Sequence, residues 1–289
     1  MRDIRQRTIA AILAKQDELF RWGFDARQAR ARPEYLYYSP NFKSTLWTLV
    51  LLADIKAPAN IPQIQSSIHL ISERFFSPQH GIFRLPDMCR FPIPCLNGNM
   101  IYLHRYFRTS PSAPLDRTIA FFSDHQRFDD GDFKTPKSYP YCSNTFCYGK
   151  HSCYWGVTKL FKGISFIPRE LRTKKAQLLM ENCIDFVLQH EVCFSSHRSD
   201  EFLHRDIGRL VFPNFYKSDF LELLWLLARE GVNDSKMARS LELLRRKRKA
   251  DGCWELEKPR NIIVSIGQKS RANVYITERA NEVLNYYGW

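Results

Sequence analysis

Five cysteines and one histidine fall in two short stretches of this 289-residue chain, as Cys89-x5-Cys95 and Cys142-x4-Cys147-x3-His151-x-Cys153. Thiolate and imidazole are zinc ligands, and a catalytic zinc keeps one position open for water or substrate. The spacings match no standard zinc finger. The competing reading is packing, with Cys153, Cys183 and Cys193 as small core residues and His151 as a hydrogen-bonded residue at a helix start.

These residues need elements to bring them together. Val157, Leu160, Phe161 and Ile164 recur at i, i+3, i+4 and i+7, so the spacing predicts a helix with His151, Cys153, Tyr154 and Trp155 at its first turns. That end carries unpaired N–H groups and a partial positive charge, and it tends to hold anions. Two helix types alternate along the chain. Leu46, Trp47, Leu49, Val50, Leu51 and Leu52 are apolar all round, as in a buried helix, while Ile64, Ile68, Ile71 and Phe75 form one dry stripe of an outer helix. Outer stripes recur at Ile9, Ile12 and Leu13, at Leu115, Ile119 and Phe122, at Leu179, Cys183 and Phe186, and at Met237, Leu241 and Leu244. Inner-type helices start near Ser44, Cys95, His151, Lys217 and Arg271, about 51, 56, 66 and 54 residues apart. A helix-pair repeat cannot bury its apolar face alone, so the pairs must stack, with the fully apolar helices inside. The expected architecture is a single all-α domain over residues 1–289, a double-layered barrel of about five hairpins. All inner helices then start at one rim, which would gather Lys43, Cys95, His151, Lys217 and Arg271.

The repeat, together with the turns Gln126…Asp130-Gly131…Phe133 and Lys249-Ala-Asp251-Gly252-Cys-Trp254, resembles the α/α-toroid superfamily of protein prenyltransferase β subunits and terpenoid cyclases. The resemblance covers essentially the whole chain. His151-Ser-Cys-Tyr resembles the prenyltransferase segment whose His binds catalytic zinc, and Cys95 begins the preceding inner helix, where that family has its zinc Cys. The resemblance therefore implies zinc held by His151 and Cys95, then Cys147, with Cys89 or Cys142 completing the set. Ile93 stands where the family has its metal-binding Asp, and no Asp-x-Asp-Asp acid of the protonating cyclases is present. Asp129-Asp-Gly-Asp132 has another order and lies in an outer turn, where a structural role is expected. An isoprenoid or similar apolar ligand with an anionic head is the implied substrate class. Lys43, Lys150, Lys217, Lys269 and Arg271 would hold the head, and Tyr38, Trp155 and Tyr216 the tail or a carbocation. Protein prenyltransferases also need a partner subunit.

Composition adds bounds. Lys and Arg number 43 against 30 Asp and Glu, a net +13, which favours an anionic partner. No secretion signal is read: Ile9 to Ala14 is too short, and Lys15 interrupts it. No apolar run approaches the ~20 residues that span a bilayer. A cytoplasmic protein is expected, with its eight cysteines as free thiols or ligands. Arg245 to Lys249 ends an outer helix, where cations suit the dipole, and His204-Arg205-Asp206 lacks the Gly-rich loop of a kinase. The alternatives are a non-catalytic toroid scaffold with structural zinc or no metal, and, third, a nucleic-acid binder motivated by charge alone.

Overall fold

The computed structural model describes residues 2–23, 32–39, 41–86, 91–109, 112–132 and 134–288. Among them the regular structure is all-α: eleven α-helices, a few 3-10 turns and one two-residue antiparallel strand pair, β1 (Phe76–Ser77) and β2 (Ile82–Phe83). Cys89 and Phe133 lie outside the described residues.

Four inner helices are nearly buried all round, α2 (Thr45–Asp54), α4 (Pro94–Phe107), α7 (Tyr154–Ser165) and α9 (Phe220–Arg229), and the last inner helix, α11 (Val274–Tyr286), buries one face. All ten residues of α2 are buried. Five others are amphipathic: α1 (Arg2–Leu13), α3 (Pro62–Phe75), α5 (Ser112–His125), α8 (Lys174–Gln189) and α10 (Ala238–Arg246). Their dry stripes are those read from sequence, Ile64, Ile68, Ile71 and Phe75 in α3 and Leu241 and Leu244 in α10. A single turn, α6 (Thr145–Tyr148), precedes α7. Each inner helix packs on the outer helix that follows it: α2 on α3, α4 on α5, α7 on α8, α9 on α10. Inner helices also touch in chain order, α2 with α4, α4 with α7, α7 with α9 and α9 with α11. Lys56, just past α2, bridges the first to the last, pairing with Glu278 and Glu282 of α11 at 3.1 and 2.6 Å.

Local sequence sets the ends. Asp219 accepts from the Glu222 N–H at the start of α9, Thr173 from Ala176 at α8, and Asn273 from Tyr275 and Ile276 at α11, each satisfying donors a helix leaves open. Pro62 and Pro94 sit at first-turn positions, where no N–H is needed. The α2 C-terminus closes with 6→1 and 5→2 bonds, Ala57 N to Leu52 O and Lys56 N to Ala53 O; α8 and α9 close the same way.

The internal repeat is visible in bonding. Trp22 donates its indole N–H to the Ile12 carbonyl, ten residues back, and its backbone N–H to Thr45 Oγ1, 23 residues on. Trp254 repeats this with Leu244 and Thr277 at the same two separations. These two turns, at opposite ends of the chain, thus do one job, tying an outer helix to the next inner one.

The tightest seam is between α4 and α7. A Cβ at Gly98 would lie 2.2 Å from the Lys159 carbonyl carbon and oxygen, and one at Gly163 would lie 2.6 Å from the Gly98 carbonyl oxygen. Helical Gly→Ala ordinarily stabilises by about 1 kcal/mol. Here backbone blocks the methyl, so Gly98→Ala is expected to destabilise by about 3 kcal/mol, the upper part of the overpacking range. Urea unfolding checks this, and an unchanged or raised midpoint would contradict the close packing. No helix of the described residues is long and apolar enough to cross a membrane.

Candidate functional site

Charged residues inside apolar helices mark the centre of the molecule. Lys159 and Lys162, one turn apart on α7, and Glu222 on α9 are wholly buried. Lys159 Nζ donates to Glu222 Oε2 (2.5 Å) and the Asn214 carbonyl (2.9 Å); Lys162 Nζ donates to Glu222 Oε1 (2.8 Å) and Asp54 Oδ1 (2.6 Å). Tyr102 on α4 donates to the same Asp54 oxygen at 3.0 Å. Arg279 on α11 and Asp219 complete a set of three acids and three bases.

Burial would push the Glu222 carboxyl up, but Lys159, Lys162 and Arg279 outweigh it and hold it below its ordinary range. Burial lowers Lys159 to about 8 against the pull of Glu222. Asp219 is pushed up to about 6 by burial, its bonds from the Glu222 and Val211 amides opposing.

Asp54, Tyr102 and Arg279 of this network line a cavity of about 310 Å³ to which α2, α4, α9 and α11 contribute, together with Phe166 just past the end of α7. Tyr102, Tyr106, Phe166, Trp225, Phe212 and Tyr275 supply aromatic surface, while Asp54 and Arg279 face it from the buried side. The exposed lining residues Lys56, Arg229 and Glu282 lie at or just beyond the C-terminal ends of inner helices, so the opening is there. Asp54, 6% exposed, leaves Oδ2 without a partner. Arg279 is 7% exposed, and its Nη1 is buried and unbonded. Its guanidinium sits 4.8 Å from the Trp225 ring centroid and 5.2 Å from that of Phe212. Burial disfavours its charge, but Asp54, Glu222 and Asp219 outweigh that and keep it protonated. A buried guanidinium N–H without a partner costs a few kcal/mol, so such a group calls for an acceptor.

None of Lys43, Lys150, Trp155, Tyr216, Lys217 and Arg271 lines this cavity. Three of them meet at the opposite rim, where Lys217 Nζ lies 5.6 Å from the Trp155 ring centroid and 5.8 Å from that of Tyr216. Lys217 also reaches His204 Nε2 at 3.4 Å. Lys150 and Arg271 are exposed and Lys43 is half-buried. Aromatic packing fills the interior behind this rim: Phe42 stacks on Phe215 at 4.7 Å, and Trp47 packs on both at 5.7 and 5.5 Å.

Zinc ligands at 2.0–2.3 Å from the ion stand roughly 3.3–3.7 Å from one another in a tetrahedron. Cys147 hydrogen-bonds to Cys153, which together with the Gly156 and Trp155 amides and Lys217 draws the Cys153 thiol down to about 7 despite its burial. Burial pushes the Cys95 thiol up to about 12. Among the described residues, the cluster of three or more His, Cys, Asp or Glu side chains whose donor atoms converge within 4.8 Å is Asp130, His151 and His197. Cys95 and Cys147 are not in it. Sequence spacing did not single out Asp130 or His197 as metal ligands, because they come from separate turns after α5 and α8. Beyond the chain itself, no protein-family model matches this sequence, and no curated protein matches it.

Proposed function

We propose that this chain is an α/α toroid that binds, in its central cavity, a short isoprenoid-type ligand with an anionic head group. The observation that carries the reading is Arg279: a buried, charged guanidinium with an unbonded N–H on the wall of an aromatic cavity. The head accepts from Arg279, with Lys56 and Arg229 nearer solvent, and an oxygen that keeps its proton donates to Asp54 Oδ2. The tail lies against Tyr106, Phe166 and Trp225, apolar faces that also tolerate positive charge. A cavity of about 310 Å³ is at the lower end of the usual ligand range of about 300–1,000 Å³, which suits a short chain.

Titration calorimetry with geranyl diphosphate, geraniol and inorganic diphosphate tests it. Geranyl diphosphate should bind at least about tenfold more tightly than either fragment, since it alone uses both the cation and the aromatic wall. No heat with geranyl diphosphate, or inorganic diphosphate binding equally well, would refute the reading.

A further inference from the structure

We propose that Asp130, His151 and His197 form a divalent transition-metal site, suited to zinc, at the end of the molecule away from the cavity opening. The site uses a different ligand set from the one the cysteine spacing suggested, and it does not depend on the cavity. Three separate turns supply it. His151 Nδ1 lies 3.4 Å from Asp130 Oδ1, and His197 Nε2 lies 3.2 Å from Asp130 Oδ2. Each imidazole thus meets a different carboxylate oxygen, and one donor atom from each residue lies within 4.8 Å of the others, so the exposed imidazoles need only draw in slightly to reach the roughly 3.3–3.7 Å that a tetrahedral zinc imposes on its ligands. An aspartate with two imidazoles is also a borderline donor set, which favours zinc and its neighbours over calcium or magnesium.

The surroundings hold these donors in place. Asp130 and His151 form an isolated antiparallel bridge, and the Ser152 N–H donates to the Asp129 carbonyl at 3.0 Å, so two turns 21 residues apart are stitched together. Ser196 donates to Asp130 Oδ2, while His197 Nε2 also lies 2.9 Å from the Asp130 carbonyl, a hydrogen bond that ligation through Nε2 would replace. Gly131, at φ +108°, leaves space for the imidazole: a Cβ there would lie 2.5 Å from His151 Cε1. Behind the carboxylate is His190, 2% exposed, with Nδ1 lacking a hydrogen-bond partner. The two ligand imidazoles are 58 and 60% exposed, which leaves the remaining coordination positions to water or to an oxygen of an incoming anion. A metal here would clamp the turns after α5 and α8 to the start of α7.

The test strips the full chain with chelator and titrates it with Zn²⁺ by calorimetry, using Co²⁺ absorption to report ligand type. One ion per chain is expected, with a rise in melting temperature and a cobalt spectrum lacking thiolate charge-transfer bands. His197→Ala and Asp130→Asn should each weaken Zn²⁺ at least about tenfold, while Cys147→Ser and Cys95→Ser should leave it unchanged. Circular dichroism of each variant shows whether it is folded, and His197→Gln serves if His197→Ala is not. Wild-type affinity in folded His197→Ala, thiolate bands in the Co²⁺ protein, or loss of zinc in Cys147→Ser would each overturn the assignment.

Discussion

Glu222→Gln should lower the unfolding free energy by about 3–5 kcal/mol, the cost of breaking a buried ion pair from one side. The melting temperature should then fall on the order of 10 °C. Glu222 is the only carboxylate bonded to both Lys159 and Lys162 among the described residues, and all three side chains are wholly buried. The amide supplies one acceptor and no charge, and its NH₂ faces an ammonium. Lys159 is left with the Asn214 carbonyl, and Lys162 with Asp54. As a control, Lys175→Ala removes a half-exposed ion pair to Asp124, and its melting temperature should stay within about 1–2 °C of wild type. Differential scanning calorimetry of both variants checks this. A loss in Glu222→Gln no larger than in Lys175→Ala would mean that the network carries little stability.

The same residue sets the acid limb. The folded Glu222 carboxyl titrates below its ordinary 4.5, so its contribution is complete above that pH and is lost as pH falls through the folded value. Asp219 has the opposite sign: raised to about 6 from 3.8, it favours the fold more as pH falls from about 6 to 3.8. From these two groups stability should rise as pH falls from about 6 to 4.5, hold between about 4.5 and 3.8 where the two trends oppose, and drop below that, and Glu222→Gln should flatten the drop.

The helix layers were legible because periodicity survives in sequence: the run Leu46 to Leu52, apolar but for Thr48, became the wholly buried α2, and Pro94, Tyr154 and Phe220 begin helices within three residues of the predicted starts. What escaped was the position of the cavity. Unpaired N–H groups drew attention to helix starts, yet there Phe42, Trp47 and Phe215 pack the interior. The charges that matter sit at the middles and ends of apolar helices. Lys159, Lys162 and Glu222 were the available signal, since a charge inside an otherwise buried helix must find a partner there. The Asp130 cluster was less accessible still: Asp130 and His197 are 67 residues apart, and only the packing of α5, α7 and α8 brings their turns together.

Arg279→Met should reduce affinity for geranyl diphosphate about 100-fold or more while leaving the ligand-free melting temperature within about 2 °C of wild type. Each hydrogen bond between charged groups contributes about 1.5–3 kcal/mol, so losing two reaches 100-fold at about 1.4 kcal/mol per decade. Stability should change little because Arg279 makes no ion pair among the described residues, and methionine fills much of its volume between Phe212 and Trp225. The lost positive charge leaves three acids facing two lysines, and Asp219, already raised to about 6, is the carboxyl placed to take up a proton in compensation. Arg279→Lys keeps the charge without the planar fork, so its affinity should fall between those of wild type and methionine. Calorimetric titration beside thermal melts separates the outcomes. Wild-type affinity in Arg279→Met would remove this residue from ligand binding, whereas a collapse in melting temperature would make the guanidinium a structural member of the buried network instead.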